Sequence, residues 1–179
     1  TPFLIEKLEE EAAKEEPRKL RYVLRDLAVA ENAFAYEYTG YLSNIHSVKA
    51  YFDANLDMLE SQKFYSLFAP NQKVYTKVKN EEPTYYAPGS QIKNSQFASG
   101  SIVEALVHDS VISRRVHLHK GAEIRSSLLF PGVVVHEGAV VEHAILDKGV
   151  VVETGVTIRG TKEAPLVIKK GAVITEDIG

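Results

Sequence analysis

The sequence predicts a mainly β chain, a left-handed parallel β-helix preceded by a small α/β module. Three observations carry this. Of eleven glycines, only Gly40 lies before residue 84. From Gly100 onward, small and aliphatic residues recur with a period of seventeen. Upstream, the chain is written in Glu, Lys, Leu and Ala with apolar residues at helical spacing.

Composition narrows the function classes. At 179 residues there is room for one domain or two small ones, and 45% hydrophobic with 25% charged residues is ordinary for a globular chain. No run approaches the ~20 apolar residues of a membrane span, and no basic segment with an apolar core opens the chain. Neither a membrane nor nucleic acid is expected as a partner, given a net charge of −3 and a pI near 6.1. The absence of cysteine excludes thiol chemistry and leads to an expectation of a cytoplasmic protein.

Thr1-Pro2 reads as an N-cap followed by Pro at the first helical position, opening a helix from Phe3 to about Glu16. Pro17 then opens a second helix with Leu20, Val23, Leu24 and Leu27 on one face. Phe34, Tyr36 and Tyr38 alternate with period two, so Ala33–Tyr38 reads as a strand. A third helix from about Ser47 to Glu60 carries Val48, Tyr51, Phe52, Leu56 and Leu59. A lone strand leaves its backbone donors and acceptors without partners. The rest of its sheet is expected either in another chain or, the reading adopted, in a segment preceding Thr1. A polar, Pro-containing connection from Asn71 to Pro88 separates this module from the next.

The second module can be written in rows of seventeen. One column holds Gly121, Gly138 and Gly155, the next Ala105, Ala122, Ala139 and Val156. Others hold Val107, Ile124, Val141 and Ile158; Ile112, Leu129 and Leu146; and Val116, Val133, Val150 and Val167. Within a row the apolar positions step by six, six and five, which gives three short strands per turn of a triangular prism. The pattern resembles the hexapeptide repeat of left-handed β-helices and implies that fold over residues 90–179. It says little of function, since unrelated activities share the prism.

Column-mates lie one strand spacing apart, about 4.8 Å. Arg125, Glu142 and Arg159 then alternate in sign, as do Lys120 and Glu137, and read as exposed ion-pair ladders. Val111, Leu128 and Ile145 fall just outside the core column. An aliphatic stripe facing outward needs cover, so these three are expected to make a subunit contact or to pack against the first module. His119 and His136 are column-mates with His117 and His143 nearby. They read either as solvated imidazoles on a turn or as a catalytic or metal-binding cluster; the expectation adopted is no metal in this chain.

The segment Gly40-Tyr41-Leu42-Ser43-Asn44-Ile45-His46-Ser47, followed by Ala50 to Leu59, resembles the end of the nucleotidyltransferase domain of ADP-glucose pyrophosphorylases (glucose-1-phosphate adenylyltransferases). That family reads Gly-Tyr-Trp-x-Asp-Val-Gly-Thr there. Val74-Tyr75-Thr76 followed by Pro83 is similar to its linker, and Ser110–Ser113 and Ser127–Pro131 are similar to its coils. The resemblance implies that 1–65 is a remnant of the nucleotidyltransferase domain, 66–89 the linker and 90–179 the β-helix. It also implies an upstream part holding the phosphate loop, so this chain alone is expected to be inactive and to hold no cofactor. Mg²⁺ and ATP are implied for the intact enzyme. Gly40 and Tyr41 match the motif. Asn44 stands where the family's metal-binding Asp is expected, with Leu42 for Trp, His46 for the second Gly and Ser47 for Thr. An amide is a poor ligand for Mg²⁺ beside a carboxylate. The pattern resembles the GlgD-type subunit of glycogen synthesis, which implies a non-catalytic or weakly catalytic regulatory subunit whose partner would be a catalytic GlgC-type subunit, itself, or both. The alternative is a hexapeptide-repeat acyltransferase, trimeric, with acyl-CoA between prisms.

Overall fold

A computed structural model describes residues 2–31, 33–34, 36–68 and 73–179. It divides into two compact units, Thr1–Thr39 and Gly40–Gly179. The break comes earlier than the expected boundary near residue 65, because the third helix belongs with the β-helix.

In the first unit, α1 (Pro2–Ala12) and α2 (Leu20–Ala30) are joined by a carboxylate. Glu11 is buried at the end of α1. Its Oε1 accepts from the Arg18 backbone N–H at 3.1 Å and from Arg18 Nε at 2.8 Å, while Oε2 accepts from Arg18 Nη2 at 2.9 Å and Lys14 Nζ at 2.6 Å. Arg18 Nη1 also reaches Asp26 on α2 at 2.6 Å. Meeting Arg18 turns the chain after Ala12, so α1 stops short of Glu16. The cap expected at Thr1 lies outside the described residues. No strand forms among the described residues of 33–38, where Phe34 and Tyr36 are strongly exposed; Ala35 is not among them. Period two supplied a face but no ladder to pair with.

The second unit opens with α3 (Val48–Leu56), capped by Ser47, whose Oγ accepts from the Ala50 N–H at 3.1 Å. A 3₁₀ turn, Asp57–Leu59, leads into α4 (Ser61–Leu67). This last helix replaces the start of the expected linker; Phe64, Leu67 and Phe68 at i, i+3 and i+4 were its signal.

The β-helix begins at Tyr85, five residues earlier than expected, and every strand pairs in parallel. The first face stacks Tyr85–Tyr86, Ile102–Val103, His117–Leu118, Val134–Val135, Val151–Val152 and Val173–Ile174. The second stacks Gln91–Lys93, Leu106–His108, Glu123–Arg125, Val140–Glu142 and Thr157–Arg159. The third stacks Gln96–Phe97, Val111–Ile112, Leu128–Leu129, Ala144–Leu146 and Leu166–Ile168. Ala122, Ile124, Leu129, Ala139, Val141 and Leu146 are all fully buried, as the columns require. Two serines join the rows from inside. Ser110 Oγ accepts from the Ser127 N–H at 3.1 Å, and Ser127 Oγ from the Ala144 N–H at 3.2 Å.

Two rows break the seventeen-residue rule. Ile102 pairs with His117, so the first row is two residues short at the Glu104–Ala105 turn. The Gly160–Pro165 insert lengthens another, so Ile145 pairs with Val167 and Leu146 with Ile168. Ala172 therefore takes the place next to Val150 expected of Val167, Ile168 continues the core column of Leu146, and Val167 itself is 48% exposed. Of the expected ion-pair ladders, Glu142 and Arg159 meet at 2.9 Å, while Arg125 turns to Glu123 on its own strand. No ion pair joins Lys120 to Glu137 among the described residues.

Candidate functional site

The loop from Gly40 to Ser47 is held from behind. Tyr41 donates its hydroxyl proton to Asp57 Oδ2 at 3.0 Å and its backbone N–H to Ser66 Oγ at 3.1 Å. Lys63 Nζ donates to the other oxygen of Asp57 at 2.6 Å. Burial, and then the Asp57 carboxylate, push the Tyr41 phenol above its ordinary pKa. The Lys63 ammonium is likewise raised, by its hydrogen bonds to Asp57 and then to Glu60. Sequence reasoning missed Asp57, Lys63 and Ser66 as supports, because their spacing spans a helix break.

Beyond Tyr41 the loop faces solvent. Leu42 is 82% exposed. Asn44 is exposed too, and its carbonyl oxygen accepts from the His46 N–H at 3.1 Å and lies 2.9 Å from His46 Nδ1. This loop does not suit the Mg²⁺ implied by the family resemblance. Asn44 offers only a neutral amide, and no three His, Cys, Asp or Glu ligand atoms converge there among the described residues.

The stripe of Val111, Leu128 and Ile145 is covered from within the chain. Phe52 of α3 is 1% exposed and forms one buried cluster with Leu128 and Ile145, with Tyr51, Leu56, Val111 and Phe130 packed around it. Of the two covers expected for the stripe, the structure supplies the first module's helix α3, under which Leu128 and Ile145 are buried and Val111 partly covered. At the N-terminal end of α3 the cover is incomplete. A cavity of about 480 Å³ opens there between Ile45, His46, Val48 and Tyr51 on one side and Phe130, Ile145, Asp147 and Val167 on the other. Its lining is apolar apart from His46, Ser47 and Asp147. Val167 joins it because the insert shifts it into the stripe's column.

Parallel rows with three strands each, an aliphatic interior and a helix laid along one face define a hexapeptide-repeat β-helix protein. Residues 80–176 match the family model described as GlmU-like, C-terminal hexapeptide, and the chain belongs to that family. Among curated proteins, it is similar to the glycogen biosynthesis protein GlgD of Bacillus subtilis, 37% identical over 77% of this chain and 40% of that protein. GlgD of Geobacillus stearothermophilus is 46% identical over 70% of this chain and 36% of that protein. The glucose-1-phosphate adenylyltransferase of Mycoplasma mobile is 31% identical over 59% and 27%. The chain thus spans 40% or less of the length of these relatives. A solved structure, PerB from Caulobacter crescentus in complex with CoA and GDP-perosamine, aligns at 20% identity with a TM-score of 0.49, over 53% of this chain and 47% of that one. No helix among the described residues is long and apolar enough to cross a membrane.

Proposed function

We propose that this chain is the β-helix portion of a non-catalytic, regulatory subunit of glucose-1-phosphate adenylyltransferase, acting in glycogen biosynthesis in the cytoplasm. The similarity to two GlgD proteins and to adenylyltransferases supports the pathway. The observation that carries the non-catalytic reading is Asn44, neutral and exposed in a loop that is otherwise held in place by the Tyr41–Asp57–Lys63 contacts. The chain keeps a well-built scaffold around a position that has lost its charge. Its value to the enzyme then lies in coupling. By contacting a catalytic subunit it favours that subunit's active arrangement, a bias typically worth ~1–3 kcal/mol.

The test is an adenylyl-transfer assay with ATP and glucose 1-phosphate on this chain, on the full-length protein containing it, and on that protein mixed with a catalytic subunit. The expected result is negligible turnover by the first two and a changed rate or effector response in the mixture. Turnover by the full-length protein at the catalytic subunit's rate overturns the non-catalytic reading. An unchanged mixture overturns the regulatory one.

A further inference from the structure

The two-residue deletion in the first row has a chemical result. It slides Glu104 into the column of His119 and His136. The Glu104 N–H donates to the Leu118 carbonyl, the His119 N–H to that of Val135 and the His136 N–H to that of Val152, each at 2.9 Å. These three residues therefore occupy equivalent positions in three successive rows. His117 lies two residues before His119, so both side chains leave the strand on the same side. The rings of His117 and His119 stack with centroids 3.9 Å apart, and His136 stacks on His119 at 4.8 Å. Glu104 Oε2 lies 4.0 Å from His117 Nε2. One ligand atom each from Glu104, His117 and His119 falls within 4.8 Å of the others.

We propose that Glu104, His117 and His119 form a binding site for a divalent first-row transition ion, best matched by Zn²⁺, with its fourth position open on the side of His136. Two neutral imidazoles and a carboxylate are a borderline donor set of the kind Zn²⁺ takes with an open position, unlike the all-oxygen set of Mg²⁺. Bonds of about 2.0–2.1 Å in a tetrahedral arrangement put ligand atoms about 3.3 Å apart. All three side chains are partly exposed, so they can close that gap by side-chain rotation while the paired strands stay fixed. This site is separate from the Gly40–Ser47 loop and stands or falls independently of the adenylyltransferase reading.

The experiment uses the untagged full chain at pH 7.5, titrated with ZnCl₂ by calorimetry and with CoCl₂ by visible absorption. The expected result is one equivalent of Zn²⁺ with micromolar or tighter affinity, a tetrahedral cobalt spectrum, and a Tm raised by saturating Zn²⁺. His119→Gln should weaken binding at least tenfold, and Glu104→Gln should weaken it measurably. His143→Asn, on another corner of the prism, should leave it unchanged. The side chains concerned point outward, and far-UV circular dichroism checks that each variant folds. Millimolar or weaker binding by the wild-type chain overturns the proposal. So does equal binding by the His119 and Glu104 variants, or equal loss in the His143 control.

Discussion

The ring of Tyr51 on α3 meets the ring of Phe130 on the β-helix edge-on, with centroids 6.5 Å apart and planes at 74°. This contact marks the edge of the apolar seam by which α3 lies along the third face. The seam's centre is Phe52, among the largest fully buried side chains of the chain.

Phe52→Ala should therefore undock α3 and leave the prism standing. Truncating a buried Phe costs about 3–5 kcal/mol when the space cannot collapse. Here the loss falls on the helix, because the core of the prism is a separate cluster. Amide exchange is the measurement. Amides of α3 should lose protection by orders of magnitude while those of Ile124 and Val141 keep theirs. Uniform loss along the chain would mean that the seam and the prism unfold as one.

Val141→Asp tests the column assignment. Val141 is fully buried between Ile124 and Ile158. An uncompensated carboxylate there should cost about 4 kcal/mol or more and lower the melting temperature sharply. A variant melting with the wild type refutes that placement.

What could be read in the sequence was whatever repeated. Ile124, Val141 and their neighbours were assignable because each row states the same pattern again, and parallel stacking turns a period into a column. The places that mattered most for chemistry were those where the period fails. Glu104 was aligned with the glycines of the next rows, and only the shortened turn carries it to His119. Val167 was aligned with Val116, Val133 and Val150, and only the insert carries it to the edge of the α3 seam. The Tyr36 and Tyr38 alternation misled for another reason: a strand pattern reports a preferred face, while a strand exists only where a second backbone accepts its hydrogen bonds.

Gly160→Ala should disturb the insert where it leaves the second face. A Cβ at Gly160 would stand 2.3 Å from the His143 carbonyl oxygen and 2.7 Å from the Leu166 nitrogen. Those two atoms form the hydrogen bond, at 3.0 Å, that seats the returning strand on the row beneath. Backbone cannot yield as a side-chain tip can, so the methyl should cost about 1–3 kcal/mol. The expected readout is a lower Tm with exchange at the Leu166 amide accelerated beyond that at Ile124. An unchanged Tm and an unchanged Leu166 amide would show that the loop absorbs the methyl.

The first unit should respond to acid through Glu11. The Arg18 guanidinium, then the Lys14 ammonium and the Arg18 backbone N–H, hold its carboxyl far below the usual carboxylate range. A carboxyl with a depressed folded-state pKa stabilises the fold fully above its unfolded pKa, about 4.3 for Glu. That contribution is lost as pH falls below this value toward the folded-state pKa. Asp26, lowered by Arg25 and then by Arg18, shares the direction. The joint between α1 and α2 should therefore hold at neutral pH and loosen under acid. The core of the β-helix contains no ionisable side chain among its buried residues and should be indifferent over the same range. Nuclear magnetic resonance of the chain between pH 6 and 2 should show the resonances of Val23 and its helix neighbours shifting or broadening before those of Ile124, Val141 and Leu146. Glu11→Gln should bring the loosened spectrum to pH 6. A helix pair that looks the same at pH 6 in the variant and the wild type would remove Glu11 as the link.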